Sequence, residues 1–169
     1  MIRFPIKRMY ERINPKLFLP LGRLQLACFM NSSIIDINRK LSMSYKFAIT
    51  VRGYEIDSFG HVNNAVYLNY FEQARWEILR SRDLLEYFEA NELILVVTEA
   101  NIRYSKEARV FNELVVVTDM HNAPPYLVFN HVIHNAATGE IITRCNVKTL
   151  LVDRDRVPHD IPEFFITGR

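Results

Sequence analysis

Cysteine is scarce in this chain. Cys28 and Cys145 stand far apart and match no metal-ligand spacing, and Cys145 sits in a strand-like run, so a reduced, buried thiol is the default. That points to an intracellular, cytoplasmic protein. Long apolar runs are missing as well. The best one, Leu17 to Met30, is broken by Pro20, Gly22 and Arg23, well short of the roughly 20 residues a membrane span needs. An integral membrane protein is therefore not expected. The net charge of +2 is too small to argue for a nucleic-acid partner. His121, His131 and His134 have no cysteine or acid at ligand spacing, so neither a metal nor a cofactor is expected. No internal repeat or low-complexity segment is present.

What the chain does contain is 49% hydrophobic and 24% charged residues, the composition of a soluble domain with a real core, which excludes disordered and fibrous classes. The small net charge hides an asymmetry. Residues 1–42 carry eight basic residues against two acidic, and the remainder carries thirteen basic against seventeen acidic. This basic extension mixes Lys and Arg with apolar residues and reads either as an amphipathic transit or membrane-surface segment or as an extension with no packed role. Pro5, Pro15 and Pro20 argue against a compact helix-turn-helix in it. A compact domain over 43–155 and a tail over 156–169 follow. The tail holds Pro158 and Pro162, ends in an aromatic run, and is expected to lie across the surface or cover part of it.

From Ser44 to Ile56 the apolar residues Tyr45, Phe47, Ile49 and Val51 alternate with polar ones, the period of a half-buried strand, with Gly53 suggesting a bend. Between 65 and 82 the apolar residues Val66, Tyr67, Tyr70, Phe71, Ala74, Ile78 and Leu79 recur at helical spacing, and Leu68 and Trp76 widen the apolar surface. This helix is expected to be the buried centre of the domain. A short second helix from 83 to 90 follows, with Asp83 as cap. Four segments rich in Val, Ile, Thr, Tyr and Phe, at 93–104, 113–121, 126–135 and 140–153, then predict an antiparallel meander. Helix on one face of such a sheet is an α+β domain.

The run from Asp57 to Arg75, D-S-F-G-H-V-N-N-A-V-Y-L-N-Y-F-E-Q-A-R, organises the rest. It places a carboxylate at Asp57 seven positions before Asn64, at the helix start, whose unpaired N–H groups favour negative charge. Those are the two parts an acyl-transfer site needs. Gly60 permits the turn between them, and Asn63 or Asn64 is a suitable N-cap. On spacing alone Asp57 reads equally as a turn or capping aspartate.

That run closely resembles the signature of the 4-hydroxybenzoyl-CoA thioesterase family of acyl-CoA and acyl-ACP thioesterases, where ACP is acyl carrier protein. V-V-T-E-A-N-I-R-Y and V-K-T-L-L-V-D look like further strands of that family, so the likeness runs from Tyr45 to Asp153. It implies a hotdog fold, a curved antiparallel sheet of about five strands wrapped around one long central helix. It also implies hydrolysis of an acyl-CoA or acyl-ACP thioester, no cofactor, and a homodimer or homotetramer with the site at a subunit boundary. By that resemblance Asp57 matches the catalytic carboxylate, as nucleophile or general base, and Asn64 the residue whose backbone N–H polarises the thioester carbonyl. His61 is a candidate for orienting substrate or water, against a plain surface histidine. Asn63 reads as a substrate contact or a cap, and Tyr67, Tyr70 and Phe71 as acyl-tunnel lining or as core. Arg103, Lys106 and Arg109 form a possible phosphate cluster or a solvated loop, and Glu72 is expected to pair with Arg75 or anchor the loop. A non-catalytic acyl-binding protein is the alternative; a hydroxyacyl dehydratase lacks its usual histidine-bearing loop here.

Overall fold

Alternating side chains along the first strand build one edge of a sheet. The computed structural model describes residues 44–167, so the basic segment 1–42 and the role expected for it lie outside the described residues. Strand β1 (Ser44–Thr50) presents Tyr45, Phe47 and Ile49 to the core and leaves Lys46, Ala48 and Thr50 less covered. Val51 continues inward and is fully buried, and at Gly53 the chain bends into a single 3-10 turn (Gly53–Glu55) instead of extending the strand.

The remaining strands are β2 (Ile94–Tyr104), β3 (Glu113–Ala123), β4 (Tyr126–Asn135), β5 (Ile141–Val152) and the two-residue β6 (Pro158–His159). β3, β4 and β5 pair in sequence order, as a meander should. β2 does not join that meander next to β3; it pairs with β5, so the order across the sheet is β1-β3-β4-β5-β2. The connection 105–112 makes this possible. Extended chain spans about 3.3 Å per residue and strands lie about 4.8 Å apart, so a loop of that length crosses the end of the sheet easily. β6 takes the flank of β5 that β4 vacates beyond Thr149, which brings the sheet to six strands where about five are expected.

Helix α1 (Val66–Ser81) lies on the concave face. Tyr67, Tyr70, Phe71, Ala74, Ile78 and Leu79 form one buried stripe at the spacing of a single helix face. They meet a sheet surface made by Val116, Phe129, Cys145 and Val147. Leu68 and Trp76, which widen the apolar surface of this central helix, are 41% and 51% exposed. Among the described residues the helix packs on one sheet, and these two side chains lie outside the stripe that the sheet covers. Helix α2 (Leu84–Ala90) follows, but Asp83 does not cap it through its side chain; it takes a left-handed conformation at φ 56° and makes the sharp turn between helices.

The tail is part of the packed structure. Helix α3 (Phe164–Thr167) buries Phe165 completely beside Tyr87 and Phe88, at 5.5 and 5.6 Å between ring centroids. Arg82 donates to the carbonyls of Phe164 and Phe165 at 2.6 and 2.5 Å and to the Tyr45 hydroxyl at 3.0 Å, which ties tail, helix and β1 together.

Under α1, His131 stacks on Phe71 at 5.0 Å and on Phe129 at 6.1 Å, with the Thr118 hydroxyl 2.8 Å from Nδ1. Its Nε2 has no partner among the described residues. Burial, and secondarily the nearby Arg75 guanidinium, push its pKa down from 6.5 to about 3. Cys145 is a buried free thiol, as expected, and burial pushes it up to about 11. A folded state that refuses a proton at His131 is fully stabilised by it above the unfolded pKa near 6.5 and loses that stability as pH falls from there toward 3. Denaturant midpoints recorded from pH 8 to 4 should therefore decline with a His131 contribution approaching about 1.4 kcal/mol per pH unit, and His131→Gln should flatten that part of the curve. Parallel curves for the two proteins would mean that the native ring is already protonated.

Candidate active site

Between the 3-10 turn and α1 the chain folds back on itself. The Asn63 N–H donates to the Glu55 carbonyl (2.9 Å), Ile56 bridges Val62, and the Asp57 N–H donates to the His61 carbonyl (2.8 Å). The turn closes through the Gly60 N–H and the Asp57 carbonyl at 3.1 Å, with Gly60 at φ 80°, a conformation a side chain would resist. This miniature hairpin sets Asp57 and the start of α1 at fixed positions. The Val62 N–H bonds the Ala108 carbonyl, and Val51 exchanges bonds with Phe111 and Asn112, so the hairpin is also fastened to the 105–112 loop.

The Asp57 carboxylate is half-buried. Its Oδ1 accepts from the Phe59 N–H at 2.8 Å and the His61 N–H at 3.3 Å, both in its own turn. Oδ2 makes no hydrogen bond among the described residues. The cap expected at Asn63 or Asn64 falls instead on Ala65, which makes no side-chain cap bond; Asn63 shapes the turn before the helix, its Oδ1 accepting from the Ala65 N–H at 3.0 Å and its carbonyl from the Val66 N–H at 2.9 Å. The Asn64 carbonyl accepts from the Tyr104 hydroxyl at 3.0 Å, and the Asn64 N–H has no partner among the described residues. The two groups singled out by the sequence thus each retain one unused position.

Tyr67 closes the floor of this region. It packs edge-on against Tyr104 at 5.6 Å, and burial first, then the neighbouring Tyr104, Asp57 and Glu107, push its hydroxyl up to about 12 despite a bond from the Ala108 backbone. Tyr67 thus lies within reach of the charge of Asp57 and beside Tyr104, whose hydroxyl bonds the Asn64 carbonyl. His61 turns away from them toward the 105–112 loop, where Nε2 lies 2.9 Å from Glu107 Oε2 and 3.3 Å from the Arg109 guanidinium. Arg109 in turn holds Glu107 at 2.7 Å, and that bond, followed by the charge of His61, keeps the Glu107 carboxyl below its usual range.

The basic residues do not form the cluster their spacing suggests. Lys106 pairs with Glu140, Arg109 pairs with Glu107, and Arg103 lies on the outer face of β2, opposite in direction to its neighbour Tyr104. Tyr70 and Phe71 are core. An apolar groove of about 450 Å³ lies instead between α1 and β2, lined by Trp76, Leu79, Phe88, Ile94 and Val97, with Arg75 and Glu72 as its charged groups. Glu72 influences Arg75 through its charge but forms no ion pair with it among the described residues.

The residue that sequence reasoning missed is Glu55, only 6% exposed. Its carboxylate accepts from the Tyr70 hydroxyl at 2.7 Å, from the Arg52 N–H at 2.7 Å and from the Arg52 guanidinium at 3.2 Å. Burial, and then this bond, push the Tyr70 hydroxyl well above its ordinary pKa. The available clue was Tyr70 itself, since a tyrosine in a buried stripe needs a partner for its hydroxyl.

The family model for the thioesterase-like superfamily matches residues 51–167, which takes in the hairpin, both longer helices and strands β2 to β6. The chain belongs to the thioesterase-like superfamily. Within that superfamily it is 41% identical over 70 residues to the long-chain acyl-CoA thioesterase FadM of Escherichia coli, a match covering 41% of this chain and 52% of FadM. It is 29% identical over 125 residues to the chloroplastic acyl-acyl carrier protein thioesterase ATL3 of Arabidopsis thaliana, covering 72% of this chain and 65% of that one. These matches span less than two thirds of either relative. Among solved structures, the probable thioesterase YbaW of Escherichia coli superposes with a TM-score of 0.66 at 25% identity, over 71% of this chain and 92% of that one. The Synechocystis 1,4-dihydroxy-2-naphthoyl-CoA thioesterase Slr0204 shares the fold at a TM-score of 0.68 and 16% identity, over 75% and 97% of the two chains. The hotdog architecture implied by the Asp57 to Arg75 run is thus the architecture of this superfamily member.

Because Glu55 links the hairpin to α1, Tyr70→Phe should leave a buried carboxylate short of one donor and cost about 1–3 kcal/mol in urea unfolding. A loss below about 0.5 kcal/mol, the usual level for surface changes, would show that Glu55 finds another donor without penalty.

Proposed function

We propose that this chain hydrolyses an acyl-CoA or acyl-ACP thioester to free acid and thiol. The observation that carries the reading is the pair of unused groups at the two ends of one rigid hairpin: Asp57 Oδ2 and the Asn64 N–H. In the general-base form, Asp57 takes a proton from water as the oxygen attacks the carbonyl carbon. The carbonyl oxygen gains charge facing the Asn64 N–H, and collapse breaks the C–S bond, the proton passing to the departing thiolate. In the nucleophilic form Asp57 attacks the carbonyl carbon directly, the C–S bond breaks and the thiolate leaves; water then adds to the acyl carbon of the anhydride, freeing the acid and the Asp57 carboxylate, and its proton passes to the thiolate. Gly60 and Asn63 serve by shaping the turns that lead into the helix, Tyr67 by walling the site, and His61 by anchoring the loop through Glu107. The relatives support both carriers, since one is named for acyl-CoA and the other for acyl-ACP. The groove beside α1 supports an apolar acyl group.

The assembly that fits this reading is a homodimer or homotetramer. β2 is an edge strand with Ile94, Val97 and Tyr104 exposed, beside the uncovered Trp76 of α1, and such an edge is completed by pairing with another chain. No helix among the described residues is long and apolar enough to cross a membrane. We place the protein in the cytoplasm, in fatty acid metabolism. The second reading, an acyl-binding protein without turnover, draws on the bonding of Asp57 Oδ1, which is that of a turn aspartate.

Thiol release from acyl-CoAs of increasing length, aromatic thioesters included, separates these readings. Asp57→Asn should lower kcat by about 10²-fold or more while the urea midpoint and oligomer size hold. Full activity in that variant would remove Asp57 from the chemistry, and stoichiometric acyl-CoA binding without thiol release by the unaltered protein would establish the second reading.

A further inference from the structure

Charge on the sheet's outer face is arranged oddly at one place. Arg52, Arg80, Lys106, Arg109, Lys148 and Arg154 each have a carboxylate within ion-pair distance. Arg103 and Arg144, like Lys46, Arg75, Arg82 and Arg156, have none among the described residues, and these two stand directly opposite each other across the β2–β5 ladder. Directly opposed residues in an antiparallel pair share a face with Cβ atoms about 5 Å apart, and like charges so placed destabilise the pair. The next outward-facing pair along the ladder, Asn101 and Asn146, is neutral, and the residue flanking Arg144 on β4 is Val132. Nothing in the register offsets the repulsion. Both guanidiniums are exposed, so nothing in the packing requires them either.

We infer that Arg103 and Arg144 form an anion site for a phosphate group of the thioester's carrier. Two guanidinium groups carried opposite each other on adjacent strands suit the oxygens of a phosphate, and a bound dianion turns the repulsion into mutual support. The position fits. Tyr104, one residue from Arg103, points to the inner face and bonds the Asn64 carbonyl, so the pair lies across the edge strand from the helix start. A carrier with its thioester at Asn64 reaches the pair by passing round the end of β2. Identifying the phosphate with the carrier rests on the proposed hydrolysis; the anion site itself does not.

The test compares acyl-CoA, acyl-phosphopantetheine and acyl-pantetheine, which lacks phosphate, on the unaltered protein and on Arg103→Gln, Arg144→Gln and the double variant. The double variant should raise KM for acyl-CoA about tenfold or more, leave kcat unchanged, and leave KM for acyl-pantetheine where it was. Its urea midpoint should stay level or rise, because a repulsion has been removed. Lys46→Gln, on the opposite edge strand, should change neither KM. An effect that persists with acyl-phosphopantetheine assigns the phosphate to the pantetheine arm common to CoA and ACP; one confined to acyl-CoA assigns it to the nucleotide. An unchanged KM for acyl-CoA, or an equal rise for acyl-pantetheine, overturns the site. Should the protein release no thiol from any substrate, calorimetric binding of CoA decides: weakening in the double variant upholds the anion site while the hydrolytic reading falls, and equal binding overturns the site.

Discussion

The structure turns on a backbone ladder only three residues deep. A carboxylate and an amide seven residues apart in sequence keep a constant separation only if the chain between them cannot breathe, and the pairing of residues 55–57 with 61–63 provides that. Such a short hairpin would not hold by itself in water. It holds here because each side is fastened to something buried: Glu55 to Tyr70 on α1, Val62 to Ala108, and Val51 to the far end of the same loop. The Asn63 side chain satisfies the amide of Ala65, and the turn satisfies one oxygen of Asp57. What is left without a partner among the described residues is Oδ2 of Asp57 and the Asn64 N–H.

Burial sorts the remaining polar groups by protonation state. His131, Cys145, Tyr67 and Tyr70 all lie in or against the core, and in each the first cause of the pKa shift is loss of solvent, which favours the neutral form. These side chains on and under α1 are therefore held in their neutral forms, with the Arg75 guanidinium as the charge that acts on His131 and Cys145. Glu55 is the exception, a buried acid, and it has a backbone donor, a guanidinium and a hydroxyl around it. Such a carboxylate fixes geometry: losing any one partner leaves the others held in place against a group that burial has made costly.

How much of this was legible in the sequence follows from what periodicity encodes. Period two in β1 and the 3.6-residue repeat in α1 state which face of an element is inward, so Ile49, Phe71 and Ala74 were legible as core residues, and so were β3 to β5 with their short connections. Periodicity does not state which strand lies next to which. β2 carries the same composition beside β5 as it would beside β3, and the 105–112 loop is long enough to permit either place. For the same reason Arg103 gave no sign of Arg144, forty-one residues away, since cross-strand partners exist only once register is set. The turn that links Asp57 to the start of the helix was legible because the stretch is local. Glu55 was not, because its partner Tyr70 lies fifteen residues on and looks, in sequence, like one more aromatic in a stripe.

The open surfaces of the fold belong to one problem. Trp76 and Leu68 widen the apolar surface of α1 beyond the stripe that the sheet covers, and Ile94, Val97 and Tyr104 leave β2 apolar at an edge whose backbone groups are unpaired on one side. A monomer has little reason to retain both, since each invites aggregation. A single second copy seated along β2 would satisfy the edge and cover the exposed stripe together, and it would also roof the groove lined by Trp76, Ile94 and Val97. In that arrangement the apolar lining that a lone chain shows to water becomes the wall of an enclosed site. The features that look least stable in one chain are then those that a thioesterase acting on an apolar acyl group would need from two.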